Sequence, residues 1–239
     1  MPVVVEIVDP GVRESVFDQL FDYLVRIDER FSTYKPESEI SRINRGELSL
    51  AEASDEMRDI FALSEETKQL TKGYFDIRRA DGTYDPSGIV KGWAIYNAAL
   101  LLQDLGCDNF FVDVGGDIQT SGKNAEGDEW RIGIRSPFKR EEIVKVVYPR
   151  GQGVATSGTY IRGEHIFDPY TGAAVETNLA SLTVIGPNIY EADRFATAAF
   201  AMGPQGIVFI EELPGFEGYA IDMQGTAVLT SGFDTYAKA

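Results

Sequence analysis

An acid and a hydroxyl lie four residues apart in the segment 190–203, at Asp193 and Thr197. Residues at i and i+4 share one face of a helix, so these two side-chain oxygens would point the same way. The neighbouring residues are apolar nearly all round, which predicts a buried helix in which an unpaired carboxylate is costly. We therefore expect a partner for Asp193, which could be a hard cation held by oxygen ligands, Arg194 or a buried hydrogen-bond network. The alternative is an N-terminal acid favoured by the helix dipole.

The chain has a single histidine, His165, which lies in an alternating run that leads into the turn sequence DPYTG at 168–172. Such a run predicts a strand that ends in a turn. An imidazole exchanges protons near neutral pH, so His165 could serve in proton transfer or contact a phosphate. The alternative is a surface or core histidine without a chemical role.

A lysine stands between two glycines, as Gly88, Lys91 and Gly92, where a buried helix is predicted to begin. Glycines at a helix start expose backbone N–H groups to an anion, and the lysine adds positive charge. The spacing is not that of a P-loop, because the glycines are too close and no Ser or Thr follows the lysine. Asp85 could accept a hydrogen bond from a ribose or a ring N–H. The alternative is an ordinary turn in which Ser87 is the helix N-cap.

Taken together, these segments resemble the FAD:protein FMN transferases of the ApbE family, over about residues 24–232. Any one segment is a weak signal, but seven occur in the family's order. They are RFSTYKPESEISRIN at 30–44, GYFD at 73–76, DPSGIVKG at 85–92, VDVGGDI at 112–118, ATSG at 155–158, HIFDPYTG at 165–172 and the helix with Asp193 and Thr197.

The resemblance implies a magnesium-dependent enzyme that moves the FMN half of FAD onto a threonine or serine hydroxyl of an acceptor flavoprotein and releases AMP. This reaction is a post-translational flavinylation. By position, the implied FAD-binding residues are Tyr34, Tyr74, Phe75, Asp76, Asp85, Lys91, His165 and Ile166. The implied metal positions are Gly88, Asp193, Ala196 and Thr197. His165 and Asp193 are the implied catalytic residues, with Asp168 as a further carboxylate that could take the hydroxyl proton.

Two of these metal positions depart from the usual pattern, because Ala196 and Gly88 have no side-chain oxygen. A magnesium ion would then keep waters or use the pyrophosphate, which matches its habit of taking few protein ligands. The Gly115-Gly116 pair could let the backbone approach a flat ring, or could be a strand end or bulge. Two other functions stay open: an FAD pyrophosphatase that forms FMN and AMP, and a non-enzymatic FAD-binding protein.

The pattern of apolar residues predicts an α+β fold, with a mixed, largely antiparallel sheet and helices packed outside, in a single domain over 1–239. After residue 108 strands outnumber helices and are joined by short turns. The predicted helices are 14–34, 54–70, 87–105, the Asp193 helix and 204–212. The predicted strands are 3–8, 109–114, 117–120, 129–135, 142–148, 160–167 and 180–186, followed by a hairpin over 219–229.

Composition sets the remaining expectations. The chain has 239 residues, 44% hydrophobic and 25% charged, which is enough to bury a substantial core. Its net charge of −16 argues against nucleic acid or an anionic membrane as a partner. The first ten residues do not read as a secretory signal, no segment predicts a membrane span, and Cys107 is the single cysteine. We expect a cytoplasmic protein, or an exported one if a leader has been removed.

Overall fold

The protein is described by a computed structural model that covers residues 1–139, 141–158, 175 and 177–237. The α-helices are Glu14–Phe31 (α1), Glu39–Asn44 (α2), Asp55–Leu70 (α3), Ser87–Asp104 (α4), Ile189–Ala201 (α5) and Gly206–Glu212 (α6). The strands are Val3–Ile7 (β1), Phe110–Val114 (β2), Asp117–Ser121 (β3), Ile132–Arg135 (β4), Ile143–Val147 (β5), Gly153–Gly158 (β6), Leu179–Gly186 (β7), Glu217–Asp222 (β8) and Ala227–Leu229 (β9).

The main sheet has the strand order β1-β2-β3-β6-β7-β8-β9 in the described ranges, and every neighbouring pair is antiparallel. Every residue of β7 is buried, as expected for a central strand covered on both faces. Strands β4 and β5 form a separate antiparallel hairpin. The predicted mixed fold with a largely antiparallel sheet is therefore confirmed.

The two faces of the main sheet pack against different partners. The buried apolar side chains form two clusters, one on each face of the sheet. Val154 and Ala155 on β6 belong to different clusters, because successive side chains of a strand point to opposite faces. The larger cluster joins one face to helices α1, α4 and α5. The smaller cluster joins the other face to Ile132 and Ile134 of the β4–β5 hairpin.

Helix α5 is tied to the sheet at its first residue. The side-chain oxygen of Gln119 on β3 accepts a hydrogen bond from the Ile189 backbone N–H at 2.8 Å. The side chain of Asn188, the N-cap, accepts from the Glu191 backbone N–H at 3.0 Å. Both contacts satisfy N–H groups that the first turn of a helix leaves without a partner.

Most predicted elements are confirmed to within a few residues, including the 219–229 hairpin, which turns at Gly225 with φ +84°. The first long helix ends at Phe31, before the predicted end at 34, because Ser32 adopts extended backbone geometry and its carbonyl accepts a 2.7 Å hydrogen bond from the Ser38 hydroxyl. Helix α2 and strand β6 were not predicted. The predicted strand 160–167 lies outside the described residues. Among those residues, no helix is both long and apolar enough to cross a bilayer.

Candidate functional site

Helices α4 and α5 meet at a glycine. The backbone N–H of Gly92 donates a 2.8 Å hydrogen bond to Oδ2 of Asp193. A Cβ atom on Gly92 would lie 2.6 Å from the Asp193 Cβ and 2.8 Å from the Ile189 carbonyl oxygen, closer than real contacts allow. The missing side chain at Gly92 is therefore what lets the two helices approach and brings the Asp193 carboxylate onto the α4 backbone.

The ammonium group of Lys91 lies between two buried carboxylates. Its Nζ is 3.2 Å from Oδ1 of Asp193 and makes a closer contact with Oδ2 of Asp117 on β3. The other oxygen of Asp117 accepts a hydrogen bond from the Thr156 backbone N–H at 3.0 Å. One ammonium group thus pairs with two carboxylates, and we refer to these three side chains as the Lys91–Asp117–Asp193 cluster. The cluster has a net charge of about −1 when both acids are ionised.

Asp117 was not among the predicted site residues, although the motif VDVGGDI contains it. Its position carries a signal that could have found it. Asp117 pairs with the buried Val114 across the β2–β3 hairpin, so the alternation of the strands places an acid where an apolar residue is expected.

Burial raises the pKa of Asp193 to about 7. The Lys91 ammonium and the Gly92 N–H favour the ionised carboxylate and lower the pKa, whereas the nearby Asp117 carboxylate raises it further. The cluster therefore holds a carboxyl group whose charge is only partly compensated, and which changes protonation near neutral pH.

The expected partner of Asp193 is thus a hydrogen-bond network that contains Lys91. Arg194 does not take that role, because its guanidinium bonds to Glu191 at 2.7 Å and to the Thr67 hydroxyl at 3.0 Å. The helix-dipole alternative is also wrong for Asp193, since the acid in the first turn of α5 is Glu191.

The predicted metal positions come from the same helix contact. Thr197 lies one turn after Asp193, and a Cβ atom on Gly88 would lie 3.4 Å from the Thr197 methyl carbon. Ala196 is fully buried inside α5, where its carbonyl belongs to the helix's own hydrogen-bond ladder. In the described part of the chain, no group of three or more His, Cys, Asp or Glu side chains could hold a metal ion.

These residues nevertheless fit a hard cation in chemistry and in charge. Asp193 and Thr197 offer only oxygen atoms, which magnesium prefers. The uncompensated negative charge of the Lys91–Asp117–Asp193 cluster favours a cation beside it. The protein would supply few ligands, so waters and substrate phosphates would have to complete the shell.

The loop before α4 is held in place by hydrogen bonds from outside it. The Asn44 side chain donates to the Tyr84 carbonyl at 2.9 Å and accepts from the Tyr84 N–H at 2.8 Å. The Asp85 carboxylate contacts Arg79 and accepts from the Ser87 N–H at 3.1 Å. The alternative of Ser87 as N-cap is wrong, because Ser87 is the first helical residue and Pro86 is the N-cap.

The segment 74–76 lies next to this loop. Phe75 is buried, and its ring is 3.3 Å from the place where a Gly88 Cβ would stand. Asp76 accepts from the Arg78 N–H at 2.8 Å and pairs with Lys68 at 2.7 Å. Tyr74 is half-buried. The structure therefore brings segment 74–76 to the start of α4.

The other predicted residues are less constrained. Tyr34 is 94% exposed, and its role stays a prediction. His165, Ile166 and Asp168 lie outside the described residues. Gly115 and Gly116 form the two-residue turn between β2 and β3, with φ +66° and +97°, so the strand-end alternative describes this pair.

The fold is α+β, with an antiparallel sheet that carries helices on one face. It contains a charged internal site, in which a buried lysine is shared by two aspartates where two helices meet. Comparison with known proteins then places it. The family model described as the ApbE family matches residues 1–81 and 78–220, so the chain belongs to the ApbE family.

Named relatives match part of the chain. It is 34% identical over 155 residues to the FAD:protein FMN transferase of Escherichia coli K12, a match that covers 61% of this chain and 44% of that protein. It is 27% identical over 244 residues to the FAD:protein FMN transferase of Chlamydia muridarum, covering 77% of this chain and 74% of that protein. The chain thus spans less than half the length of the Escherichia coli relative.

Solved structures share the fold over nearly the whole chain. The flavin transferase ApbE from Vibrio cholerae has a TM-score of 0.85 at 23% identity, covering 98% of this chain and 95% of that one. The Pseudomonas stutzeri flavinyl transferase ApbE, in its apo form, has a TM-score of 0.85 at 24% identity, covering 99% and 93%. At this identity the likeness establishes the fold.

Proposed function

We propose that this protein transfers the FMN half of FAD to a threonine or serine hydroxyl of an acceptor protein. The hydroxyl oxygen attacks the phosphorus that carries the riboflavin, and the bond from that phosphorus to the bridging oxygen breaks. AMP leaves with the bridging oxygen, and the hydroxyl proton passes to a base. Membership of the ApbE family and the names of the matched relatives support this reaction.

The observation that carries the proposal is the Lys91–Asp117–Asp193 cluster at the contact of α4 and α5. Transfer of a phosphoryl group depends on positioning and on offsetting charge, rather than on covalent chemistry by the protein. The net negative charge of this cluster favours a cation beside it, and a cation held there would offset the negative charge of a pyrophosphate. A pyrophosphate is the part of FAD that this arrangement suits.

The proposed flavin contacts lie around the same helix start. Asp85 would accept from a ribose or a ring N–H, and Phe75 and Asp76 approach from the segment beside Gly88. Tyr34 and Tyr74, together with the His165-Ile166 strand, complete the proposed set from the family resemblance. Asp85 already bonds to Arg79 and to the Ser87 N–H, so the loop is ordered before FAD binds.

We propose that Asp193 and Thr197 hold a magnesium ion, with Gly88 and Ala196 as weaker backbone positions. When bound, the ion would offset negative charge on the pyrophosphate. The Gly92 N–H, which in a regular helix donates to the carbonyl four residues earlier, donates here to Asp193.

The proton of the acceptor hydroxyl would go to His165 or to Asp193. A base is most useful when its pKa lies near the working pH, and burial raises the pKa of Asp193 to about 7. A cation held by Asp193 would, however, favour the ionised carboxylate and make it a weaker proton acceptor. We therefore assign Asp193 to the metal and His165 to the proton.

The test is a flavinylation assay read by mass. The protein is incubated with FAD, Mg²⁺ and a candidate acceptor flavoprotein, and the acceptor is weighed by mass spectrometry. An FMN adduct together with AMP supports the transferase. AMP without an adduct indicates a pyrophosphatase, and intact FAD that is retained by the protein indicates a binding protein.

The metal requirement is tested in the same assay. EDTA should abolish the adduct, and Mg²⁺ or Mn²⁺ should restore it, whereas Zn²⁺ should restore it poorly because it prefers nitrogen and sulfur ligands. An Asp193→Ala variant should show no adduct at ordinary Mg²⁺. Full activity of this variant, or activity unaffected by EDTA, would remove Asp193 and the ion from the mechanism.

A further inference from the structure

We infer that Asp117 is a positioning residue, which holds Lys91 away from full pairing with Asp193 and so keeps Asp193 available to a divalent cation. The inference rests on the proposed metal role of Asp193, but it concerns a residue that the family resemblance did not assign. It depends on the geometry of three side chains from three separate elements.

The side chain of Asp117 is fixed in place. Asp117 is 1% exposed, and its Oδ1 accepts a 3.0 Å hydrogen bond from the backbone N–H of Thr156 on the neighbouring strand β6. The Thr156 hydroxyl in turn lies 2.8 Å from the Thr183 hydroxyl on β7. Asp117 therefore presents its other oxygen, Oδ2, from a hydrogen-bonded part of the sheet rather than from a loop.

The ammonium group of Lys91 contacts two acids at unequal distances. Lys91 Nζ contacts Asp117 Oδ2 more closely than it contacts Asp193 Oδ1, which is 3.2 Å away. Attraction between opposite charges rises as the separation falls, so Asp117 takes the larger share of the lysine charge. Asp193 keeps part of its negative charge uncompensated at a position fixed by the Gly92 N–H.

A neutral residue at position 117 would remove one of the two acids that attract Lys91. Asparagine has nearly the same shape and keeps an oxygen for the Thr156 N–H, but it no longer attracts the ammonium. Lys91 would then be drawn closer to Asp193, and the ammonium would offset more of the negative charge of that carboxylate. A cation that approaches Asp193 would meet an ammonium group that is no longer balanced by a second acid.

The experiment measures Mn²⁺ binding by isothermal titration calorimetry in the absence of FAD, so it does not depend on turnover. We expect Asp117→Asn to weaken Mn²⁺ binding by about tenfold or more, and Lys91→Met to tighten it by about tenfold, since each changes the local charge by one unit in opposite senses. The double variant restores the original charge, and its affinity should return to within about threefold of wild type.

The matched control is Asp113→Asn. Asp113 belongs to the same β2–β3 hairpin, but its strand partner is Ile118, so its side chain points to the sheet face opposite that of Asp117. The Asp113 carboxylate interacts with Asp117 through its charge but lies on the opposite face, so the control should weaken the affinity by less than Asp117→Asn does, at most about threefold. Thermal melts in Mn²⁺ give a second readout, in which the ion should raise the Tm of Lys91→Met more than that of Asp117→Asn.

A merely structural role for Asp117 makes a different forecast: both single variants would weaken binding, and the double variant would be worse than either. Equal weakening by Asp117→Asn and Asp113→Asn would also overturn the inference. So would the absence of Mn²⁺ binding to the wild-type protein, or binding that survives Asp193→Asn. The proposed transfer reaction is judged separately by the FMN adduct, so the two failures are distinguishable.

Discussion

A side chain at Gly92 should force helices α4 and α5 apart. An alanine Cβ there would meet the Asp193 Cβ at 2.6 Å and the Ile189 carbonyl oxygen at 2.8 Å, and neither atom can swing away. Overpacking of this kind costs about 3 kcal/mol at the upper end of its usual range. Replacing glycine by alanine inside a helix returns about 1 kcal/mol. The expected net loss of unfolding free energy is therefore about 2 kcal/mol.

Urea unfolding of Gly92→Ala measures that loss directly, and a thermal melt should show a Tm lower by about 4–8 °C for a chain of this size. The matched control is Gly88→Ala on the same helix. Its Cβ would lie 3.3 Å from the Phe75 ring and 3.4 Å from the Thr197 methyl carbon, which small side-chain shifts can relieve. The helix gain of up to about 1 kcal/mol should offset these small shifts, so we expect the control to be at least as stable as wild type and at most about 1 kcal/mol more stable.

A Gly92→Ala protein as stable as wild type, or more stable, would refute the close packing of α4 on α5. Equal losses in Gly92→Ala and Gly88→Ala would show that the cost comes from the helix start in general. Either result would also undermine the placement of Asp193 on the Gly92 N–H, on which the site depends.

Three further predictions test the surroundings of the site. Asn44→Ala should cost about 1–3 kcal/mol in urea unfolding and weaken FAD binding in a fluorescence titration, because it leaves both backbone groups of Tyr84 unpaired; FAD affinity equal to wild type would contradict a positioning role for Asn44. Lys91→Met should lower the unfolding free energy by about 3 kcal/mol at pH 8, where two buried acids lose their counter-charge. The loss should be smaller at pH 6, where Asp193 can take up a proton. Equal losses at both pH values would contradict the pairing. The folded-state pKa of Asp193, about 7, lies above its ordinary value of 3.8, so the folded protein binds this proton more tightly than the unfolded chain does. The stability of the wild type relative to Asp193→Asn should therefore fall as pH rises from about 4 to about 7, and then level off. Parallel urea-unfolding profiles of the two proteins would contradict the raised pKa.

The sequence by itself determined most of the elements and the type of fold. The apolar spacing along α1 and α5 and the alternation in β2 and β3 follow from side-chain periods that a local stretch records. Short connections after residue 108 imply antiparallel neighbours, and this is what the main sheet has. The sequence also singled out Asp193, because a carboxylate in a buried helix requires a partner, and Lys91, because it stands between two glycines at a helix start.

The sequence did not identify that partner. Arg194 is adjacent to Asp193 in the chain, yet it turns to Glu191 and Thr67, while the groups that bind Asp193 come from about a hundred residues earlier. The role of Asp117 was missed for the same reason, since it depends on which strand lies beneath the start of α4. Helix α2 was missed because six residues are too few for a helical period to be distinguished from a turn. Strand β6, GVATSG, was missed because its two glycines and two hydroxyl residues are typical of a turn.

Only the tertiary structure decided how charge is shared in the site. Local patterns record which face of an element is buried, because each residue's exposure follows from the period of its own helix or strand. They do not record which buried faces meet. That choice is made by packing between distant segments, where the missing side chain of Gly92 lets α4 approach α5 and the sheet holds Asp117 against Lys91.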